Sequence, residues 1–191
     1  MIRIGILGDI GSGKSYIAKN FGYPVFNADF EVSKIYKKDK KIFKNLKKVL
    51  PSYIHSFPID KIEIQNAILA NKNNLKKIIK IVHFEIQKKL NLFLKVNNKR
   101  RIVILDIPLL LENKINKKDD ILVYVDAKKL NILKRLKKRK YFNEKLNRNL
   151  KSLQLPLTKK KKLSNFVIKN TFNATKIKND VKHIKTEILN I

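Results

Sequence analysis

Apolar positions along this chain alternate between two patterns, one typical of strands and one typical of helices. Short apolar runs bounded by polar or turn residues predict strands. Between these runs, apolar residues recur three and four positions apart, which predicts amphipathic helices. Strands that alternate with helices indicate an α/β fold with a parallel sheet covered on both faces. The five predicted strands are 2–7, 24–27, 101–106, 121–125 and 166–168.

Residues 31–96 show helical periodicity only. Pro51 should end one helix of this stretch, and Asp60 is a suitable N-cap for another. A long amphipathic pattern follows from Leu75 to Phe93. We expect a helical lobe inserted between the second and third strands.

Composition narrows the class of protein. With 43% hydrophobic residues among 191, the chain can build a sizeable core. The sequence has no cysteine, which excludes disulfides and thiolate-bound metals. The N-terminal apolar run ends at Leu7 and does not fit a signal peptide, and no window approaches the ~20 apolar residues of a membrane span. We expect a cytoplasmic protein with no membrane partner.

The formal net charge of +30 has two interpretations. A strongly basic chain can bind nucleic acid, through cations clustered on one face. Here the cations are almost all lysines, spread along the chain among many Asn and Ile, as an A/T-rich genome would produce. Compositional bias is the favoured interpretation, and we do not expect a nucleic-acid partner. In either case a positive field favours the approach of anionic substrates.

The most informative stretch is 8–15, which fits G-x-x-x-x-G-K-[ST] at every fixed position. It joins the first predicted strand to a helical pattern, the context in which backbone N–H groups cradle phosphates. Lys14 would add a positive charge, and the Ser15 hydroxyl would ligate Mg²⁺. The sequence therefore predicts a P-loop NTPase-type fold that binds a nucleoside triphosphate. The expected binding residues are Gly8, Gly11, Ser12, Gly13, Lys14, Ser15 and Tyr16.

Three classes of P-loop protein compete: GTP-hydrolysing switches, motor or transporter ATPases, and small-molecule kinases. All five glycines lie between Gly5 and Gly22, so the downstream D-x-x-G of the switches and the Gly-rich signature of the transporters cannot occur. Residues 116–119 spell the N-K-x-D of guanine recognition, but they precede a predicted strand, whereas that motif follows a strand in the switches. Small-molecule kinases remain.

Four stretches resemble the dephospho-CoA kinase family, in the same order and over essentially the full chain. Residues 8–15 resemble its phosphate loop, G-G-I-G-S-G-K-[ST], with Asp9 at the second position. Residues 25–29 resemble its D-A-D segment, with Asn27 replacing the first aspartate. Residues 106–113 closely resemble D-[VI]-P-L-L-F-E. Residues 154–157 and 166–170 resemble Q-x-P and V-I-D-N.

The chain departs from the family at two further places. His83 is followed by Phe84, where the family often has His-Pro. The closing V-I-D-N-x-G carries Lys169 and Phe172 in place of its aspartate and glycine. The second change falls in the tight turn that would contact adenine.

The resemblance implies transfer of the γ-phosphoryl group of ATP to the 3′-hydroxyl of dephospho-CoA, with Mg²⁺. Lys14 would bridge the β- and γ-phosphates, Asp29 would accept the proton of the acceptor hydroxyl, and Arg139 would close over the transferring group. Asn170 would contribute to ATP binding, and Ser15 and Asp106 to metal binding. The implied acceptor-binding residues are Asp29, His83, Asp106, Leu109 and Glu112.

Several of these residues have an alternative role. Asp29 suits a helix N-cap, and Asp106 a carboxylate held by a nearby backbone turn. Glu112 could orient the acceptor or pair with a lysine, and Arg135 could assist Arg139 from the same helix face or form a surface ion pair. The lysine run 159–162 is interpreted as a solvated helix face.

The resemblance also implies an organisation. Residues 1–191 would form a single kinase domain, with a nucleotide-binding core at 1–30 and 99–191, a helical acceptor lobe at 31–98 and a basic helical lid at 138–162. The partners would be ATP and dephospho-CoA. The sequence favours a monomer and leaves an oligomer open.

Two other functions remain as alternatives. A nucleoside or nucleotide kinase would share the core and differ in the acceptor lobe. A basic RNA-binding protein is less favoured, because aromatic residues make up only 8% and form no basic-aromatic stripe.

Overall fold

The computed structural model describes residues 1–190. Within them, five parallel strands form one sheet in the order β2-β3-β1-β4-β5. The predicted parallel α/β fold is therefore confirmed, with each strand near its predicted position. The strands are β1 (Ile2–Gly8), β2 (Val25–Asn27), β3 (Ile102–Asp106), β4 (Ile121–Ala127) and β5 (Phe166–Asn170).

Helices connect most of the strands in the described chain, but β4 follows β3 without a helix between them. The predicted stretch between the second and third strands contains four helices. The helices are α1 (Lys14–Asn20), α2 (Ala28–Lys38), α3 (Lys40–Val49), α4 (Lys61–Ala70), α5 (Lys72–Val96), α6 (Lys129–Lys137), α7 (Glu144–Lys151), α8 (Leu157–Lys162) and α9 (Ala174–Leu189). No helix in residues 1–190 combines the length and the apolar character needed to cross a membrane.

By its internal contacts the chain divides into two compact units. The first consists of Met1–Asn27, Val96–Phe142 and the chain from Lys151 onward. The second consists of Ala28–Lys95 and Asn143–Leu150. The roles expected for 31–98 as acceptor lobe and for 138–162 as lid concern function, and they stay predictions.

The core of the first unit lies around the central strands of the sheet. β3 is buried along its whole length, which explains its nearly continuous apolar sequence. α1 and α9 contribute apolar side chains to the same cluster as β1, β3 and β4, including Ile17, Ala18 and Val181. Burial of each such side chain stabilises the fold by about 1.5–3 kcal/mol.

A glycine inside β1 allows the segment after β3 to pack closely. A Cβ on Gly5 would lie 2.5 Å from Cδ2 of Leu110, which is fully buried. Leu110 belongs to the 106–113 motif. The absence of a side chain at Gly5 therefore brings that motif against the central strand.

The second unit contains the helical stretch, and its local signals are confirmed. Asp60 caps α4, since its Oδ1 accepts a hydrogen bond from Ile62 N at 2.8 Å. α3 ends two residues before Pro51. Between helices, Glu31 of α2 forms an ion pair with Lys89 of α5 at 3.8 Å.

A buried ion pair secures the first strand. One nitrogen of Arg3, Nη2, donates to Asp120 Oδ2 at 3.0 Å and to the carbonyl of Ile115 at 3.1 Å. Both side chains are more than nine-tenths buried. Burial raises the pKa of the Asp120 carboxyl, against the opposing effects of the Lys117 N–H and of Arg3.

We expect Arg3→Met to lower the free energy of unfolding by about 3 kcal/mol, because it leaves the Asp120 carboxylate buried without its cation. Urea unfolding measures the change. The matched control is Arg148→Met, which breaks the exposed pair with Glu144 and should cost at most about 1 kcal/mol. Equal effects of the two substitutions would contradict a stabilising role of the Arg3 pair.

Candidate active site

The predicted phosphate loop links the end of β1 to the start of α1. Its glycines Gly8, Gly11 and Gly13 have φ values of 144°, 84° and 95°. Gly13 is the N-cap of α1, and no side chain caps the first turn. The loop therefore has the backbone conformation in which successive N–H groups can face an anion.

Lys14 and Asn170 hold the loop from two sides. Lys14 Nζ donates to the carbonyl oxygens of Gly8 at 3.2 Å and Asp9 at 2.8 Å. Asn170, at the end of β5, donates from Nδ2 to the carbonyl of Ser12 at 2.7 Å. Its side chain lies so close to Gly13 that a Cβ there would collide with the Asn170 amide. The last strand thus fixes the middle of the loop.

Ser15 and Asp106 are connected through Asn27. The Asn27 amide donates to Ser15 Oγ at 3.4 Å and makes a short hydrogen bond to Asp106 Oδ2. Asn27 and Asp106 are direct partners in the pairing of β2 with β3, so both side chains lie at the carboxyl end of the sheet. The predicted metal-binding pair therefore lies within reach of one bridging amide. The Asn27 side chain, and not a backbone turn, therefore holds Oδ2 of Asp106.

Glu112 forms an ion pair with a lysine, which is one of the two roles that the sequence allowed. Its Oε1 accepts hydrogen bonds from Lys160 Nζ at 2.7 Å and from Leu155 N at 2.8 Å. Its Oε2 is buried and has no partner among the described residues. Lys160 is 1% exposed, so the interpretation of 159–162 as a uniformly solvated face is wrong at this position. The acceptor role of Glu112, like that of Leu109 in the same turn after β3, stays a prediction.

The two arginines near α6 do not share a helix face as predicted. α6 ends at Lys137, and Arg139 lies in the following turn, where its N–H donates to Leu136 O at 3.0 Å. Arg135 stacks on the ring of Phe172, with its guanidinium carbon 4.5 Å from the ring centroid. Arg135 is thus placed by an aromatic contact, and its assistance to Arg139 stays a prediction. The lid role of Arg139 stays a prediction.

A cleft of about 260 Å³ opens beside the loop. Phe172 contributes to it from a backbone conformation with φ of 63°, which is uncommon for a residue with a side chain. Phenylalanine thus forms the turn at the position where the family has glycine. The N–H of Phe172 donates to Asn170 Oδ1 at 2.7 Å. The cleft is lined by Gly13, Tyr16, Arg135, Asn170, Phe172, Ala174 and Ile177.

Two predicted residues belong to the second unit. Asp29 is exposed and lies in the first turn of α2, which begins at Ala28. Asp29 is therefore inside the helix and is not its N-cap. His83 is half-buried on α5. The structure describes these side chains within their own unit, and their catalytic and acceptor roles stay predictions.

Sequence reasoning missed three features of the first unit. One is the stack of Arg135 on Phe172, and a second is the identity of the lysine that pairs with Glu112, the buried Lys160. The third is an ion pair of 2.8 Å between Asp9 and Lys151. The only local signal for any of them was the pair of unusual residues, Asp9 and Phe172, at positions where the family has glycine.

Comparisons with known proteins agree over almost the whole chain. The family model described as dephospho-CoA kinase matches residues 2–176. The dephospho-CoA kinase of Wolbachia sp. subsp. Brugia malayi is 34% identical over 186 residues, which cover 95% of each chain.

Two solved structures share the fold. A protein from Thermus thermophilus has a TM-score of 0.75 and 25% identity, covering 98% of this chain and 97% of its own. The dephospho-CoA kinase from Campylobacter jejuni has a TM-score of 0.63 and 20% identity, covering 97% of this chain and 96% of its own. With a family match that extends from the first strand into the last helix, this chain belongs to the dephospho-CoA kinase family.

Proposed function

We propose that this protein transfers the γ-phosphoryl group of ATP to the 3′-hydroxyl of dephospho-CoA, giving coenzyme A and ADP. The observation that carries the proposal is the Ser15–Asn27–Asp106 arrangement beside a glycine-rich phosphate loop. Phosphoryl transfer requires positioning and neutralisation of charge more than covalent chemistry. The arrangement would supply the positioning, and Lys14 together with a Mg²⁺ held by Ser15 and Asp106 would neutralise the charge.

The loop would bind the triphosphate. Backbone N–H groups from Gly11 to Tyr16 would donate to the phosphate oxygens. The Lys14 ammonium, held beside the loop by Gly8 O and Asp9 O, would interact with the β- and γ-phosphates.

The cleft beside the loop would bind the base. It adjoins Gly13, so a nucleotide whose phosphates occupy the loop would place its base there. The ring of Phe172 and the flat guanidinium of Arg135 offer planar surfaces on which adenine can stack. Asn170 links this cleft to the loop through Ser12 O. This supports an adenine contact at the turn, although phenylalanine replaces glycine there.

The residues at the end of the sheet fit Mg²⁺. Mg²⁺ prefers oxygen ligands and is usually bound by one or two protein side chains together with substrate phosphates. The Ser15 hydroxyl and the Asp106 carboxylate are ligands of this kind, and the Asn27 amide orients both. The ion would neutralise charge on the transferring phosphoryl group.

Asp29 would act at the acceptor hydroxyl. Only Ala28 separates it from Asn27, whose side chain contacts Ser15 and Asp106. A carboxylate in this place can accept the proton of a hydroxyl as it attacks phosphorus. His83, Leu109 and Glu112 would contact the acceptor, with residues 31–98 as its lobe. Arg139 would close over the reacting group from the lid at 138–162 and exclude water.

We expect the purified protein with Mg²⁺ and ATP to phosphorylate dephospho-CoA and not thymidylate, AMP or adenosine. A coupled assay of ADP formation with each acceptor measures the preference. Faster turnover of any of the other three acceptors would favour a nucleoside or nucleotide kinase and contradict the proposed acceptor.

We expect Lys14→Ala and Asp29→Asn to abolish measurable turnover, with a loss of about 10²-fold or more in kcat for Asp29→Asn because a general base is removed. Circular dichroism would check that both variants stay folded. The matched control is Asp119→Asn, the same change at an exposed carboxylate of the N-K-x-D sequence, which should not alter kcat. Near wild-type kcat in Asp29→Asn would exclude the acid–base role.

We expect Phe172→Gly to raise KM for ATP on the order of tenfold with little change in kcat, because it removes a stacking surface for the base. Glycine also suits the positive φ, so the turn should persist. Steady-state kinetics with varied ATP separates the two constants.

The control for this substitution is Phe84→Ala, which removes an exposed ring that Lys88 covers at 4.4 Å in the second unit. It should leave KM for ATP unchanged. An unchanged KM for ATP in Phe172→Gly would show that the base binds elsewhere.

A further inference from the structure

Asp9 places a carboxylate inside the phosphate loop. The residue is only 6% exposed. Its Oδ1 accepts a hydrogen bond from the N–H of Ile10 at 2.7 Å, and its Oδ2 accepts one from Lys151 Nζ at 2.8 Å. All three residues belong to the first unit.

This carboxylate is electrostatically unfavourable for phosphate binding. It has the same sign of charge as a triphosphate, and a buried charge is poorly screened by solvent or salt. The negative charge of Asp9 also affects the ionisation of a neighbouring group. Burial raises the pKa of the Tyr124 hydroxyl, and the charges of Asp126 and Asp9 raise it further.

Lys151 supplies the compensating cation. It is the last residue of α7, and its side chain is 39% exposed while that of Asp9 is 8% exposed. The chain that follows is anchored again in the first unit, since Leu155 N and Lys160 Nζ both donate to Glu112.

We propose that Lys151 is a positioning residue that neutralises Asp9, so that the phosphate loop retains its affinity for a nucleoside triphosphate. The inference rests on the proposed function only in that the loop binds ATP. Lys151 would act through Asp9 and would not need to touch the nucleotide. The effect of Lys151 on the affinity for ATP should therefore depend on the charge of residue 9.

The test is a double-mutant cycle on ATP affinity, measured by isothermal titration calorimetry with Mg²⁺ and without an acceptor. Lys151→Met should weaken ATP binding about tenfold, because it leaves an unpaired carboxylate beside the phosphates. In the Asp9→Asn background the same lysine substitution should change the affinity by less than about twofold.

Two further variants separate positioning from a structural role. Lys151→Arg keeps the cation and should retain affinity within about threefold of wild type. Lys185→Met removes a lysine that lies over the ring of Tyr23 at 5.1 Å, outside the loop and the lid segment, and it should leave ATP affinity unchanged. In steady-state assays Lys151→Met should raise KM for ATP with little effect on kcat. Urea midpoints would report any loss of stability separately.

Wild-type affinity in Lys151→Met would overturn the inference. An equal loss in the presence and absence of the Asp9 charge would also overturn it, because Lys151 would then act on the nucleotide directly. If the wild-type protein binds ATP and the cycle behaves as expected but dephospho-CoA is not phosphorylated, the acceptor assignment fails and this inference stands. If the wild-type protein binds no ATP, both fail.

Discussion

The parallel pairing of the strands is the constraint on which the site of the first unit depends. Because β1, β2 and β3 run in the same direction, the polar residues that follow or end them meet at one edge of the sheet. The register places Asn27 beside Asp106, and the loop after β1 brings Ser15 to the same amide. At the end of β5, Asn170 reaches the loop from its other side. A slip of one residue in β2 would point Asn27 to the opposite face and separate these groups.

Carboxylates near this edge are held by specific donors. Asp106 accepts a hydrogen bond from the Asn27 amide, Asp9 from Lys151, and Glu112 from Lys160. Each arrangement offsets part of the cost of removing a carboxylate from water. The amide at Asn27 has a further consequence, since an ionised aspartate in its place could not donate to Asp106. The replacement of the family's aspartate by Asn27 is therefore compatible with a buried carboxylate next to it.

Local signals predicted the elements well. Apolar runs predicted the strands, and the place of Asp60 before an apolar helical pattern predicted its capping of α4. The prediction that Arg139 shares a helix face with Arg135 was wrong. The helical periodicity of the sequence continues past Lys137, but the helix ends at that residue. Propensity cannot locate such an end when lysine and arginine, both good helix formers, occupy the last turn and the residues after it.

By itself the sequence determined the order of strands and helices and the position of the phosphate loop. These depend on neighbouring residues, on the period of apolar positions and on glycines that adopt positive φ. Only the tertiary structure decided which charged groups meet. Lys160 and Glu112 are far apart along the chain, as are Lys151 and Asp9, and the sequence contains 45 lysines and arginines with similar surroundings. Among four consecutive lysines at 159–162, only the packing of α8 selects Lys160 for burial, because pairing with a carboxylate offsets the desolvation of its ammonium group.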